Sequence, residues 1–233
     1  MIDIQVCGSS SKGNCYVLTD NGSSIMLEAG ISPRQLSKQG VKLSKIDALL
    51  ITHEHGDHTK YAKDLLLSTK CDIWASASTL EFLDINRRCH HLKASNEQRI
   101  GKWVILPFDT IHDDEKVRAR EPLGFFILTP SGQRVVFATD TNFIKGSFPK
   151  VNYWMIECNH DVQLVRKSSY PKFLQDRIIK THMSIDSCKE FFKRANMDYT
   201  KHIYLLHLSD SNSEPSRFKK EIEDITGKPV SIA

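Results

Sequence analysis

One stretch of sequence decides how this chain folds: Thr52-His53-Glu54-His55-Gly56-Asp57-His58-Thr59. It contains five side chains that can donate an electron pair to a metal, and it follows Asp47-Ala48-Leu49-Leu50-Ile51, a run typical of a strand that is buried on both faces. Imidazoles and carboxylates at the end of a buried strand are costly unless they are paired or bind a metal. The pattern therefore predicts a metal-binding loop directly after a core strand.

The spacing within this loop separates its ligands into two sets. His53 and His55 are two residues apart, so in an extended segment their side chains point the same way. Asp57 and His58 are adjacent, so their side chains diverge and reach toward a second position. This spacing suggests two metal ions. The alternative is a polar, exposed loop with accidental histidines, which four donors in this pattern disfavour.

The motif His53-Glu54-His55-Gly56-Asp57-His58 resembles the His-x-His-x-Asp-His signature of the metallo-β-lactamase-fold hydrolases. The resemblance implies an α/β fold, a four-layer αββα sandwich with its active site at the strand ends along one rim. It also implies two divalent ions held by side chains from several motifs. On the resemblance, the expected metal ligands are His53, His55, Asp57, His58, His112, Asp140 and His207.

Three of these ligands come from outside the first motif. His112 follows the apolar strand Trp103–Phe108 and precedes the acidic residues Asp113 and Asp114, as in the third ligand motif of the family. Asp140, at the end of another apolar strand, matches the aspartate that bridges both metals, and His207 matches the last metal histidine. The alternatives are a hydrogen-bonded loop histidine for His112 and a turn cap for Asp140.

Further motifs resemble one branch of that family, the YycJ-like proteins, which are regarded as DNA exonucleases. The branch begins with Gly-Ser-x-x-x-Gly-Asn, matched here by residues 8–14, and its Asp-Ala-Gly is replaced by Glu28-Ala29-Gly30. Cys158-Asn159-His160-Asp161 also resembles this branch, and Thr181-His182-Met183-Ser184 resembles the family's Gly-His-Leu-Ser. The resemblance covers nearly the whole chain.

Two regions are predicted to bind the substrate. Residues 8–14 form a small-residue loop whose backbone N–H groups and hydroxyls suit an anion, although the Gly-Lys-Ser/Thr order of a P-loop is missing and an ordinary turn is the alternative. Residues 162–180 contain five basic residues, one acid and two aromatic residues, a mixture that suits a phosphate backbone with unstacked bases or, alternatively, a solvated helix. The predicted substrate-binding residues are Ser9, Lys12 and Asn14 of the first region, Lys172 and Arg177 of the second, and His160 of the Cys158-Asn159-His160-Asp161 motif.

Length and composition set broad limits. A chain of 233 residues with 40% hydrophobic content is compatible with one domain over residues 1–233. The N-terminus lacks a signal peptide and no run of eighteen apolar residues occurs, so we expect a cytoplasmic protein without a membrane partner. The six cysteines have no paired C-x-x-C spacing, which indicates reduced thiols. A net charge of +4 permits a polyanionic partner, and nothing in the sequence indicates an oligomeric state.

The resemblance implies metal-assisted hydrolysis of a phosphodiester in nucleic acid. Asp57 would orient the attacking water as well as bind metal, and His182 would act as general acid, its alternative being a neighbour of a helix N-cap. The donor set suits zinc and manganese equally, with magnesium possible. The branch implies DNA, whereas the residues alone do not separate DNA from RNA. A hydrolase for a cyclic nucleotide, thioester or lactone is the alternative, and a non-enzymatic binding module would require lost ligands.

Overall fold

The computed structural model describes residues 2–112 and 119–233. The chain divides into two compact units, which we call unit 1 (residues 2–109 and 119–133) and unit 2 (residues 110–112 and 134–233). Asp113 and Asp114, which follow the predicted ligand His112 in the sequence, lie outside the described residues. A single domain over 1–233 stays a prediction. Among the helices described, none is long and apolar enough to span a membrane.

Unit 1 contains a six-stranded mixed sheet. Its strands pair in the order β1 (Asp3–Ser10), β2 (Gly13–Asp20), β3 (Ser23–Leu27), β4 (Ile46–Leu50), β5 (Asp72–Ala75) and β6 (Cys89–His91). The first three strands form an antiparallel meander, and β3 to β6 run parallel. Leu27 pairs with Leu50, and Leu50 with Trp74. The carboxyl ends of β3, β4 and β5 therefore meet at one edge, the usual place for a site in an α/β sheet.

The predicted anion-binding loop over residues 8–14 is mostly strand. Gly8 to Ser10 continue β1, Gly13 and Asn14 begin β2, and only two residues form the turn between them. Ser9 pairs with Asn14 and Ser10 with Gly13. Antiparallel pairing uses backbone N–H groups that an open loop would offer to an anion, so the expectation of a loop here was wrong.

The remaining elements of unit 1 pack around this sheet or form a second antiparallel ribbon. The helices are α1 (Pro33–Lys38), α2 (Gly56–Thr59), α3 (Ala62–Ser68) and α4 (Ala77–Leu83), and the ribbon is β7 (Gln98–Ile100), β8 (Trp103–Asp109) and β9 (Leu123–Leu128). Leu36, Leu65 and Leu80 bury one side of α1, α3 and α4 in a core shared with Leu49 and Ile73. The apolar area that these helices remove from water is their main source of stability.

Unit 2 contains four parallel strands and four helices. The strands pair in the order β10 (Arg134–Ala138), β11 (Tyr153–Glu157), β12 (His202–Leu206) and β13 (Val230–Ile232), and the helices are α5 (Val162–Lys167), α6 (Lys172–Thr181), α7 (Ile185–Arg194) and α8 (Pro215–Thr226). Ala138 pairs with Ile156, and Glu157 with Leu206. Because parallel strands end together, the residues that follow β10, β11 and β12 lie side by side at one edge of the sheet.

Candidate metal centre

In unit 1, three histidines group at the end of β4. The ring centroid of His53 lies 4.6 Å from that of His55 and 4.2 Å from that of His58. The hydroxyl of Thr52 lies 2.9 Å from Nδ1 of His53. When Nδ1 donates to that hydroxyl, Nε2 carries the lone pair that a metal needs. The motif therefore brings its imidazoles together, as the spacing predicts for His53 and His55.

The second half of the motif is helical, which corrects the expectation that all these ligands lie on a loop. His55 is the N-cap of α2, and Asp57 and His58 lie in its single turn, which the bond from Lys60 N to Gly56 O closes. The hydroxyl of Thr59 donates to the carbonyl of His55 at 2.9 Å and so stabilises this turn. In one helical turn, adjacent side chains diverge by about 100°, as expected for Asp57 and His58.

Buried polar side chains hold this helical turn in place. The Asn14 amide donates to Oδ2 of Asp57 at 3.0 Å and lies 3.2 Å from Nε2 of His58. Glu28 lies 3.3 Å from Nδ1 of His58 and accepts from the Thr52 N–H at 3.3 Å. Burial raises the pKa of Glu28, and its contacts with His58 and Thr52 lower the pKa only in part. The longer Glu28 thus supports the metal motif where the branch has aspartate.

Gly30 is required by the close approach of two backbones. A Cβ at this position would lie 1.9 Å from the carbonyl oxygen of Asp57 and 2.4 Å from the amide nitrogen of Asn14. The Gly30 N–H donates to the Asn14 carbonyl at 2.8 Å, and the Ala29 N–H donates to the His58 carbonyl at 2.7 Å. The glycine of Glu28-Ala29-Gly30 therefore lets the β1–β2 hairpin and the metal motif come within hydrogen-bonding distance.

In unit 2, a second cluster of potential ligands lies at the carboxyl ends of the parallel strands. One donor atom from each of Asp140, Glu157, His182 and His207 lies within 4.8 Å of the others. Nδ1 of His207 is 3.2 Å from both Asp140 and Glu157. Asp140 and His207 have φ values of 46° and 55°, so each strand ends in the left-handed conformation. Such backbone costs about 1–3 kcal/mol for an ordinary residue and is typical of functional sites.

His112 and His182 lie beside this cluster. Nδ1 of His112 is 3.2 Å from the carbonyl oxygen of Thr181, a contact that leaves Nε2 as the acceptor. The ring of His182 is 5.5 Å from that of His112 and 5.3 Å from that of His207. Unit 2 thus brings together the predicted ligands His112, Asp140 and His207 with the predicted general acid.

Glu157 is a residue of this cluster that the sequence analysis missed. Its fully buried carboxylate accepts hydrogen bonds from His182 Nδ1 at 2.7 Å, from the Thr141 N–H at 2.8 Å and from the Met183 N–H at 3.0 Å. Burial alone would raise the pKa of Glu157, but the charge of His182 and hydrogen bonds from His182 and His207 hold it at about 2. The sequence does contain a signal for its place in the cluster, because Glu157 ends an apolar run of residues as Asp140 does.

The predicted substrate-binding residues of unit 1 differ in accessibility. Lys12 is exposed at the tip of the hairpin, and Ser9 is half-buried and accepts a hydrogen bond from the Tyr16 hydroxyl at 2.8 Å. Asn14 is fully buried, and its amide is engaged with the metal motif. The structure therefore gives Asn14 a positioning contact, while substrate binding by Ser9 and Lys12 stays a prediction.

The predicted substrate-binding residues of unit 2 also differ in their burial and contacts. His160 is fully buried, neither ring nitrogen has a hydrogen-bond partner, and burial lowers its pKa to about 4, so it is a neutral imidazole. The Lys172 ammonium donates to Asp176 at 2.8 Å, which offsets part of its charge. Arg177 is exposed on α6. Substrate contacts by these three residues stay predictions.

The chemistry of the two clusters fits divalent metal ions. Buried imidazoles and carboxylates are the nitrogen and oxygen ligands that zinc and manganese take, and threonine or glutamate partners orient the rings of His53 and His207. Without a metal, so many buried donors would be expensive to keep in one place. The donor set thus supports the binding of divalent metal.

Comparison with known proteins extends this description. The Beta-lactamase superfamily domain matches residues 16–208. The chain is 28% identical over 229 residues to a Streptococcus pneumoniae protein named exodeoxyribonuclease WalJ, covering 89% of this chain and 82% of that protein. It is 27% identical over 228 residues to exodeoxyribonuclease YycJ of Bacillus anthracis, covering 91% and 84%.

A solved structure confirms the predicted fold. The metallo-β-lactamase fold protein YhfI of Bacillus subtilis matches with a TM-score of 0.75 and 17% identity, covering 100% of this chain and 97% of that one. The metallo-β-lactamase fold, an α/β sandwich, is therefore confirmed, and so is the resemblance to the YycJ-like branch.

Proposed function

Because this chain belongs to the β-lactamase superfamily, whose domain covers most of its length, we propose that it is a metal-dependent nuclease that removes nucleotides from DNA. The observation that carries the proposal is the pair of buried donor clusters at the motif positions, found in a chain similar along nearly its whole length to proteins named exodeoxyribonucleases. We propose that the protein acts in the cytoplasm.

The proposed metal centre uses all seven predicted ligands, His53, His55, Asp57, His58, His112, Asp140 and His207. Two divalent ions bound there would lower the pKa of water and stabilise charge on the phosphate. Asp57 would also accept a hydrogen bond from the attacking water and so orient it. Asn14, Glu28 and Thr52 would keep the ligands of the motif in position, since each contacts one of them.

His182 is proposed to protonate the departing sugar oxygen. Its Nδ1 is bound to Glu157 at 2.7 Å, so the ring is oriented and its Nε2 is the atom that can donate to a leaving group. The Glu157 carboxylate is ionised above about pH 2, so it can accept the hydrogen bond from Nδ1 that orients the ring. After the proton has left, the product oxygen is neutral and His182 is ready to be protonated again from solvent.

The metal centre and the substrate are tested together. End-labelled single-stranded and double-stranded DNA and RNA would be incubated with the protein in magnesium, manganese or zinc. We expect a ladder of shortened DNA products, about two bound ions per chain by elemental analysis, and loss of hydrolysis in Asp57→Ala and Asp140→Ala. Retained cleavage with fewer than one ion bound would contradict the mechanism, and cleavage of a small ester without cleavage of DNA would favour a small-molecule hydrolase.

The role of His182 is tested by separating turnover from binding. His182→Ala should lower kcat by about two to four orders of magnitude, because a proton donor acts mainly in the transition state, with metal content and DNA affinity nearly unchanged. His90→Ala is a matched control, since His90 is a surface histidine whose ring is bound to Asp72. Loss of metal from His182→Ala would instead make His182 a ligand, and unchanged turnover would leave it a structural role.

A further inference from the structure

The short segment that follows β11 in unit 2 is hydrogen-bonded on both of its sides, and we call residues 159–161 the bridging segment. On one side, the Asn159 N–H donates to the Met183 carbonyl at 2.9 Å, and the Ile185 N–H donates to the His160 carbonyl at 2.8 Å. Met183 directly follows the proposed general acid in the sequence. These bonds therefore hold the part of the chain that carries the general acid.

The other side of the bridging segment holds the chain beyond the predicted ligand His207. The Ser209 N–H donates to the Asn159 carbonyl at 2.8 Å, and the Asp161 N–H donates to the Asn212 carbonyl at 2.8 Å. A segment bonded in both directions cannot shift without breaking several hydrogen bonds at once. The bridging segment thus fixes the spacing between the ligand and the general acid.

The Asn159 side chain also contacts the ligand residue directly. It is 7% exposed, and its amide donates to the His207 carbonyl at 2.7 Å. The backbone of His207 has a φ of 55°, in the left-handed region that an ordinary residue seldom adopts. The amide stabilises this conformation, from which the imidazole reaches Asp140 and Glu157, each 3.2 Å from its Nδ1.

Asparagine suits this position because the contact needs a short side chain that donates a hydrogen bond. Aspartate has the same shape, but its ionised carboxylate only accepts and would place an oxygen against the His207 carbonyl oxygen. Serine can donate, but its hydroxyl is one bond closer to the backbone and does not extend as far. Glutamine is longer by a methylene group, which a buried site accommodates poorly.

We propose that Asn159 is a positioning residue of the metal centre, which fixes the backbone of His207 and so directs its imidazole toward the ion, while its own backbone holds the segment that carries His182. The proposal rests on the proposed nuclease function and deepens it, since it gives a role to the motif Cys158-Asn159-His160-Asp161. Residues that orient a metal ligand in this way contribute about 10- to 100-fold to metal affinity or activity.

The first test measures metal affinity independently of activity. The unaltered protein and its variants would be stripped of metal and titrated calorimetrically with zinc or manganese. Asn159→Asp and Asn159→Ser both remove the amide donor, and each should lower the affinity for one ion about 10- to 100-fold. Any ion that His207 does not bind should be held as in the unaltered protein. In the cobalt-loaded protein, the visible absorption bands, which depend on the ligand geometry, should shift in both variants.

Asn152→Asp is the matched control for these measurements. Asn152 precedes β11, at the end of the same strand away from the metal cluster, and its side chain also bonds backbone groups. It donates to the Tyr199 carbonyl at 3.0 Å and accepts from the Arg134 N–H at 2.8 Å. Asn152→Asp should therefore lower Tm but leave the metal affinities and the cobalt spectrum unchanged.

The second test separates positioning from direct contact with the substrate. In Asn159→Ser, DNA cleavage should be weak at a metal concentration that saturates the unaltered protein. It should recover as zinc or manganese is raised, with an unchanged KM for DNA once metal is saturating, because the defect lies in metal affinity. A group that acts on the substrate is not restored by metal, so His182→Ala should stay slow at every metal concentration.

Specific outcomes would overturn the proposal without affecting the proposed function. Unchanged affinity for every ion in both Asn159 variants would do so, as would an equal loss of affinity in Asn152→Asp, which would assign the effect to general stability. Failure of both Asn159 variants to fold, with Asn152→Asp folded, would leave Asn159 a role in folding alone. A loss of turnover in Asn159→Ser that excess metal does not restore would also contradict positioning.

The proposed function fails on a different result. Absence of any phosphodiester hydrolysis by the metal-loaded, unaltered protein, on DNA and on bis-p-nitrophenyl phosphate, would refute the nuclease proposal. The metal titrations of Asn159→Asp and Asn159→Ser would still decide whether Asn159 positions a metal ligand, because they do not depend on turnover.

Discussion

At the scale of single residues, Asn14 connects the first hairpin to the metal motif. Its amide donates to Asp57, and the Tyr16 hydroxyl lies 2.8 Å from Ser9 and 3.4 Å from the Asn14 side-chain oxygen. Removing such a supporting hydrogen bond lets a ligand rotate out of its binding orientation. We expect Asn14→Ala to lower metal affinity or turnover about 10- to 100-fold, the range found for residues that orient metal ligands.

Metal titration followed calorimetrically, together with kcat at saturating metal, checks this expectation for Asn14. Tyr16→Phe is the matched comparison, since it removes the hydroxyl that contacts both Ser9 and the Asn14 side-chain oxygen and should have a smaller effect in the same direction. Equal metal affinity and equal kcat in Asn14→Ala and the unaltered protein would show that Asp57 keeps its position without the amide.

His160 makes the stability of the fold depend on pH. Burial lowers its pKa from 6.5 to about 4, so the unfolded chain binds a proton there that the folded chain excludes. The contribution of the neutral ring is therefore fully present above pH 6.5 and is lost as the pH falls toward 4, by about 3 kcal/mol for a shift of this size. In His160→Leu, urea unfolding between pH 7 and 4 should lack this component, whereas His90→Leu should keep it. If the free energy of unfolding fell equally with pH in His160→Leu and in the unaltered protein, the assignment of this pH dependence to His160 would be contradicted.

The residue pattern alone predicted the metal motif at residues 53–58, whereas His112, Asp140 and His207 were predicted from the family resemblance. The motif from His53 to His58 was recognisable because its spacing is confined to six consecutive residues. Glu157 was missed because its partners, His182 and His207, are 25 and 50 residues away in the sequence. The side-chain contact of Lys172 with Asp176 is local, at i and i+4, but helix formation had to be known before it could be expected.

At the scale of elements, local sequence signals agree with the structure that forms. The Asn21-Gly22 turn has φ values of 48° and 76°, as a two-residue hairpin turn requires. Ser76 begins α4 and accepts from the Thr79 N–H. The short strands β6 and β7, of three residues each, lack such a local signal. Their strand character depends on pairing with β5 and β8, which no local propensity encodes.

The one-turn helix α2 shows why the metal motif was only partly predictable. A helix of four residues is unstable alone, because the first turn fixes several residues for one hydrogen bond. Here the backbone of α2 is bonded to its surroundings, with the His58 carbonyl accepting from the Ala29 N–H at 2.7 Å. Tertiary contacts thus determine the conformation of Asp57 and His58, whereas the hydrophobic run before them determines where the motif begins.

At the scale of the whole molecule, the seven proposed ligands are distributed between residues 53 and 207. An unfolded chain holds such distant residues apart, so the complete ligand set exists only in the folded state, and metal binding should stabilise that state. A ligand present at 100 times its dissociation constant adds about 2.7 kcal/mol per site. For a chain of this size, each kcal/mol raises Tm by about 2–4 °C.

We therefore expect removal of metal by a chelator to lower Tm by about 5–10 °C for each site emptied. Differential scanning calorimetry of the chelated protein, repeated after zinc or manganese is restored in excess, measures the change and its reversal. The double variant Asp57→Ala and Asp140→Ala is the control and should show little response to either treatment, because each substitution removes a proposed ligand. A Tm that is the same with and without metal in the unaltered protein would mean that these side chains do not form a binding site in the folded chain, since ligands that bind the folded state alone must raise its stability.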